Sequence, residues 1–107
     1  MMASPHLSLH QACWAISNVA AGTSDQVDLV MRSPLLANVV DRLANDDFEV
    51  RKEAAWVIAN ILHSFSSDPT NTHCAMRAST LVQLGAIPPM VSMLSAFWVH
   101  SKWVHSK

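Results

Sequence analysis

The stretches Gln11-Ala-Cys-Trp14-Ala-Ile-Ser-Asn18 and Glu53-Ala-Ala-Trp56-Val-Ile-Ala-Asn60 share one pattern, a tryptophan followed four residues later by an asparagine. The two tryptophans are 42 residues apart, and most of the positions around them agree in chemical type. A period in this range is typical of a helical solenoid, in which each unit buries its apolar face against its neighbours. We therefore expect a repeated unit, with function in a surface that the repeats share.

Composition restricts the class of protein. The chain has 107 residues, of which 50% are hydrophobic and 14% charged, and its formal net charge is −1. It is long enough for one small domain and too apolar for a disordered segment. The sequence has no basic stripe of the kind that binds nucleic acid. We expect no secretory signal, because the first ten residues lack a charged start followed by an apolar stretch, and no apolar run reaches the roughly 18 residues that a membrane span needs.

The cysteines and histidines do not indicate a reactive centre. Two cysteines, Cys13 and Cys74, are too few for a disulfide framework, and a reduced intracellular protein fits them best. They form no Cys-x-x-Cys pair, and the adjacent His73 and Cys74 are a weak metal or nucleophile candidate. No Gly-rich phosphate loop or nucleophile elbow is present. We expect no catalytic residue, no metal and no cofactor, and hence no enzyme activity.

Apolar spacing and turn residues predict six helices and no strand. Gly22 is expected to end the first helix in the left-handed conformation, and Gly85 to end the fifth. Asp46 or Asp47 should cap the fourth helix, and residues 66–72 should form a loop. The predicted helices cover about 7–21, 24–31, 34–44, 47–64, 74–84 and 88–97.

Helical phase separates the faces of the fourth and first helices. In the fourth, the predicted buried stripe is Ala55, Ile58, Ala59 and Leu62, and the opposite face holds Glu53, Trp56, Asn60 and His63. In the first, the corresponding sets are Cys13, Ile16 and Ala20, against Gln11, Trp14 and Asn18. A single tryptophan at helical spacing is usually a core residue. Because the same polar neighbours occur twice, we expect these tryptophans at the surface.

Such a face has chemistry suited to an extended basic peptide. Neighbouring indoles would leave an apolar slot for the methylene stem of a lysine or arginine, and a cation over an indole contributes roughly 0.5 to 2 kcal/mol. The amides of Asn18 and Asn60 carry both donors and acceptors for a peptide main chain. Glu53 would add selectivity for positive charge. Arg51 and Lys52 are interpreted as a solvated helix face rather than a binding patch.

The sequence resembles the importin alpha family, armadillo-repeat adaptors that bind nuclear localisation signals. The resemblance lies in residues 12–18, 50–60 and 81–87, and extends over about 9–94. It implies an all-α, right-handed armadillo solenoid whose third helices line a concave groove. It makes 7–21 the third helix of one repeat, 24–64 a complete repeat and 74–97 two helices of the next. The residues around the motifs are most similar to those of the family's seventh and eighth repeats, which contribute to its minor site.

This resemblance implies that the chain binds basic nuclear localisation signal peptides of cargo proteins, in the cytoplasm and nucleus. The family's groove roles transfer to Trp14, Asn18, Trp56, Asn60 and Glu53. Gln11 stands where the family usually has a glutamate, and is preceded by His10 rather than a lysine, so a weaker pocket is expected there.

Other partners follow from what the sequence lacks. Importin beta binding is not expected, because the family's basic amino-terminal segment is absent. Self-association through exposed solenoid ends is expected, because a solenoid needs roughly three repeats. The alternative function is a structural or protein-interaction armadillo fragment, or a degenerate copy with no independent cargo binding.

The segment 98–107 consists of Trp98-Val-His-Ser-Lys102 repeated at once as Trp103-Val-His-Ser-Lys107. We expect it to lie outside the solenoid, with residues 1–97 forming the armadillo part. One interpretation is a basic, aromatic tail that stacks on nucleic acid. The other, which we favour, is a product of truncation, rearrangement or gene-model error.

Overall fold

Six α-helices make up the described backbone of the computed structural model, which comprises residues 5–64 and 72–105; side chains are described for residues 9–64 and 74–96. No strand occurs in these ranges. The helices are α1 (Pro5–Ala20), α2 (Ser24–Arg32), α3 (Leu35–Asn45), α4 (Phe48–His63), α5 (Thr72–Gln83) and α6 (Ile87–His105). Apart from the end of α6, each boundary lies within about two residues of the sequence prediction. Residues 65–71 lie outside the described residues, and they include all of the predicted loop 66–72 except Thr72, which begins α5.

Side-chain caps explain why α2 and α4 begin where they do. At α2, the Gln26 amide N–H donates to Thr23 Oγ1 at 3.3 Å, and the Thr23 N–H donates to Gln26 Oε1 at 2.8 Å. This reciprocal capping box satisfies two N–H groups that have no partner within the helix. At α4, Asp47 is the cap, and its carboxylate accepts from the Val50 N–H at 3.2 Å. Of the two predicted caps, Asp47 is therefore the one used.

Gly85 ends α5 in the left-handed conformation, with φ of 77°. The Ala86 N–H donates to Leu81 O at 3.1 Å and the Gly85 N–H to Val82 O at 3.0 Å, which is a Schellman motif. The buried Ala86 and Leu81 supply its apolar contact. The same expectation for Gly22 was wrong: among the described residues, Gly85 is the glycine with positive φ. At the end of α1 the Gly22 N–H instead donates to Val19 O at 3.1 Å.

The core lies around α4, which packs against α1 on one side and α3 on the other. Its buried stripe is Val50, Ala54, Val57, Ile58 and Ile61. The predicted buried stripe lies part of a turn away from the observed one. Helix α4 packs against helices on two sides, and helical phase alone does not show which of them covers each side chain. Ala55 and Ala59 are therefore only half-buried, and the Leu62 side chain is 37% exposed. In α1, burial of Cys13 and Ala20 and partial burial of Ile16 confirm the prediction.

A buried arginine attaches α5 to α2. Arg77 is 5% exposed, and its Nη2 donates to Asp28 Oδ1 at 2.8 Å and to Ser24 Oγ at 2.9 Å. Its Nη1 donates to Ser64 Oγ at 3.1 Å, which links the same guanidinium to the end of α4. Leu81, 1% exposed, places α5 in the common hydrophobic core. Arg77 thus fixes the position from which α6 returns along α3 and α4.

Helix α6 continues to His105, eight residues beyond the predicted end. The first copy and part of the second copy of the duplicated segment are therefore helical, although no helix was predicted there. The side chains of this part lie outside the described residues, as do residues 106 and 107. Within the described ranges, none of the helices combines the length and apolar character of a membrane span.

Candidate peptide-binding groove

The two tryptophan-asparagine units lie side by side on parallel helices. His10 Nε2 on α1 lies 3.5 Å from Glu53 Oε1 on α4, and Asn60 Nδ2 donates to Ser17 O at 2.9 Å. Both pairs are 43 residues apart in sequence, and they are separated by seven residues, or roughly 10 Å, along each helix. Side-by-side positions on α1 and α4 are thus 43 residues apart, one more than the 42 residues that separate the two tryptophans. It places equivalent positions of the two units at nearly the same height.

Both indoles are at the surface. Trp14 is 57% exposed and Trp56 is 53% exposed, although neighbouring positions on the same helices are buried. Gln11 and Asn18 on α1 are exposed as well. The expectation that the tryptophans lie outside the core is therefore confirmed. Two large amphipathic side chains with nearby amides form a surface suited to an extended peptide.

Asn60 is only half-exposed, because its amide joins the two helices. One of its two N–H donors goes to the Ser17 carbonyl, and the buried Ser17 hydroxyl in turn donates to Trp14 O at 2.6 Å. Asn60 therefore holds the register of the groove as well as facing it. The bond to Ser17 does not use its second N–H or its carbonyl oxygen. Asn18, at the end of the parallel unit, is exposed and has no corresponding bond among the described contacts.

Glu53 is more enclosed than the sequence suggested. Its side chain is 13% exposed, and the half-exposed His10 lies against it. The preceding residue on α4, Lys52, pairs instead with Glu49, Nζ to Oε2, at 3.1 Å. The acidic group of the groove is thus partly covered by a side chain from the neighbouring helix. Neither the His10 contact nor this coverage was predicted, because a contact between residues 43 apart depends on the packing of α1 on α4.

An apolar cavity of about 260 Å³ adjoins Trp56 on the side away from α1. It is lined by Lys52, Ala55, Trp56, Ala59, Met90, Met93 and Leu94. Sequence reasoning missed the three residues from α6, because they look like ordinary apolar residues of a packed helix. The half-buried alanines, which were assigned to the core, form its floor beside the indole. The cavity is bounded by α4 and α6, whereas the slot between the two indoles stays a prediction.

A second apolar surface lies between α1, α2 and α3. A cavity of about 180 Å³ there is lined by Ile16, Val19, Leu29, Val30, Ser33, Leu35 and Leu36. Of these, Leu29 is 59% exposed and Leu35 is 53% exposed. None of its lining residues carries a side-chain amide, in contrast to the groove with Gln11, Asn18 and Asn60. It is suited to apolar packing rather than to recognition of a peptide main chain.

Neither described cysteine forms a disulfide. Burial raises the pKa of the Cys13 thiol, and the nearby carboxylates of Glu53 and Asp46 raise it further, against an opposing effect of Arg42. The neutral thiol is thereby favoured, so Cys13 behaves as a small core residue. No group of three or more potential metal ligands occurs among the described side chains.

Comparison with known proteins shows that the chain is similar to importin alpha subunits. Importin subunit alpha-6 of Arabidopsis thaliana is 31% identical over 100 residues, which is 91% of this chain and 18% of that protein. Importin subunit alpha-1b of Oryza sativa subsp. japonica is 35% identical over 51 residues, and importin subunit alpha-2 of Arabidopsis thaliana is 34% identical over 51 residues. Each of these two matches covers 48% of this chain and 10% of the relative.

This chain is importin alpha-like. Its all-α fold is the armadillo solenoid that the resemblance implied. The importin alpha subunits are much longer, since the chain spans less than a fifth of the first relative and a tenth of the others. No protein-family profile matches the sequence, and no solved structure matches it.

Proposed function

We propose that the chain binds basic, extended peptides of the nuclear localisation signal type along Trp14, Asn18, Trp56 and Asn60, as part of an importin alpha-like groove. The observation that carries this proposal is the register of α1 and α4. It brings two exposed indoles to nearly the same height on parallel helices, each with an amide one turn further on. The role is one of binding rather than catalysis, in the cytoplasm and nucleus.

Each side chain has a distinct part in this proposal. The indoles contact the apolar stems and charged ends of lysine or arginine side chains. Asn18 binds the peptide main chain, and Asn60 does so with the donor and acceptor that its bond to Ser17 leaves. Glu53 favours a positive ligand, whereas Gln11, at the equivalent place on α1, can accept a hydrogen bond without contributing charge.

The test is the affinity of a labelled lysine- and arginine-rich peptide, measured by fluorescence anisotropy so that the readout does not depend on the tryptophans. Trp56→Ala should weaken binding roughly two- to twentyfold, which is the range expected for loss of a cation–indole contact. Asn18→Ala should weaken it roughly fivefold, as expected for one main-chain hydrogen bond. Asn18 is preferred to Asn60 here because Asn60→Ala also removes the bond to Ser17.

Matched controls separate the groove from general effects. Leu29→Ala removes a similarly exposed apolar side chain from α2, and Asn38→Ala removes an exposed amide from α3. Both should leave peptide affinity unchanged. A peptide with its basic residues replaced by glutamine should not bind. Equal affinities for Trp56→Ala, Asn18→Ala and the original chain would refute the groove.

A second candidate function is protein-protein contact through the apolar surface of α1, α2 and α3. It is favoured by the exposure of Leu29 and Leu35 next to the cavity there. Sedimentation of the purified chain tests it with Leu29→Asp and Leu35→Asp. Self-association that these changes abolish, combined with no affinity for basic peptides, would replace the first function by the second.

A further inference from the structure

His10 and Glu53 form a contact between helices within the groove. His10 Nε2 lies 3.5 Å from Glu53 Oε1, and 31% of the histidine side chain is exposed against 13% of the glutamate. The imidazole therefore lies beside one oxygen of a carboxylate that is itself mostly buried. A ligand ammonium or guanidinium that is to reach this carboxylate must share it with His10 or displace it.

The other charged groups around this pair have different partners. Lys52, beside Glu53 on α4, lies 3.1 Å from Glu49. Arg42, near the end of α3, pairs with Asp41 and, at 3.4 Å, with Asp46. Cys13, one turn beyond His10 on α1, is a thiol whose pKa is raised first by burial and then by the carboxylates of Glu53 and Asp46. Among the described side chains, His10 is therefore the basic group that contacts Glu53.

We propose that His10 is an intramolecular competitor for Glu53, which makes the groove's affinity for basic ligands depend on pH. The inference rests on the proposed function, since the competing ligand is the basic peptide. Protonated His10 offers Glu53 a counter-charge and opposes a second cation. Neutral His10 leaves the full negative charge of the carboxylate to the ligand.

The direction of the effect follows from histidine chemistry. Imidazole side chains change charge between about pH 5 and pH 8, whereas a carboxylate paired with a cation stays ionised over this range. Binding should accordingly strengthen as pH rises from about 5.5 to about 8. Because the pair is partly exposed, the expected change in affinity is roughly two- to fivefold, the range found for solvent-screened ion pairs.

The experiment measures anisotropy of an amino-terminally acetylated, arginine-based peptide at about pH 5.5 and about pH 8, since this peptide does not itself titrate there. The original chain should show the two- to fivefold difference. His10→Gln retains an N–H for Glu53 but carries no titratable group. The part of the affinity difference that is due to His10 should therefore disappear. His63→Gln, which removes a histidine near the end of α4, should preserve it.

A second readout tests the contact without relying on affinity. The His10 ring proton is followed by NMR at one fixed pH. Addition of peptide should change its chemical shift, because the ligand cation competes with the imidazole for the Glu53 carboxylate that lies 3.5 Å away. Glu53→Gln should abolish most of this response.

The outcomes distinguish the inference from the function beneath it. Peptide binding whose pH dependence is equal in the original chain and His10→Gln would overturn the competition and leave the groove intact. Loss of the dependence in His63→Gln but not in His10→Gln would also overturn it. Absence of binding at both pH values, in the original chain and in His10→Gln, would refute the proposed function together with the competition.

Discussion

Removal of the Arg77 guanidinium tests how α5 is held to the rest of the solenoid. Arg77→Ala deletes bonds to Asp28, Ser24 and Ser64, three residues on α2 and at the end of α4. The arginine is 5% exposed, so water does not replace it without rearrangement. Asp28, whose side chain is 26% exposed, loses a counter-charge at 2.8 Å.

The expected loss in the free energy of unfolding is smaller than for a fully buried ion pair. Removing one member of a fully buried ion pair costs about 3 to 5 kcal/mol, and partial hydration of Asp28 recovers part of this. We therefore expect Arg77→Ala to lower the free energy of unfolding by about 2 to 4 kcal/mol. Arg77→Lys retains the charge but not the planar fork that reaches several acceptors at once, and should lose about half as much.

The assay is urea unfolding followed by far-ultraviolet circular dichroism. Arg32→Ala is the matched control, because Arg32 is an exposed arginine on α2 and should change the free energy of unfolding by less than about 0.5 kcal/mol. A double-mutant cycle of Arg77→Ala with Asp28→Ala should give a coupling energy of about 1 to 2 kcal/mol. An Arg77→Ala effect no larger than that of Arg32→Ala, or strict additivity in the cycle, would refute the reasoning.

Two further predictions concern the turn after α5 and the core of α1. Gly85→Ala should destabilise the chain by about 1 to 2 kcal/mol in urea unfolding, because a φ of 77° is unfavourable for a residue with a Cβ. The added methyl group meets no atom within 4 Å, so the cost comes from the backbone alone. An unchanged unfolding midpoint would contradict this. Cys13 should react with a thiol reagent several-fold more slowly than the half-buried Cys74, since burial raises its pKa. Urea should abolish the difference, and equal rates in the native protein would count against burial of Cys13.

Much of the local structure could be predicted from the sequence. The helix boundaries follow from short-range features, namely apolar spacing, the capping box at Thr23, the Asp47 cap and the Schellman turn at Gly85. These involve residues within a few positions of each other, so the relevant physics is visible in a short stretch. The end of α6 was missed because the duplicated segment has no stop signal, and its irregular apolar pattern was taken to exclude a helix.

The candidate site residues were chosen from the sequence as a set because they recur in two copies, and their role in binding stays a prediction. Exposure of Trp14 and Trp56 followed from the polar residues at the same helical phase. The prediction that Leu62 is buried was wrong, because helical phase gives the direction of a side chain but not which neighbouring helix covers it. The walls of the cavity beside Trp56 also required the position of α6 on α4.

The sequence by itself determined the helices, the 42-residue repeat and the surface on which the tryptophans lie, because each depends on periodicity or on contacts within one helix. Only the tertiary structure decided that α1 and α4 run parallel in a register of 43, that Asn60 bonds to Ser17 and that His10 covers Glu53. These contacts join residues that are far apart along the chain. They depend on how two helix surfaces interlock, and a repeat length constrains that packing only to within about one residue.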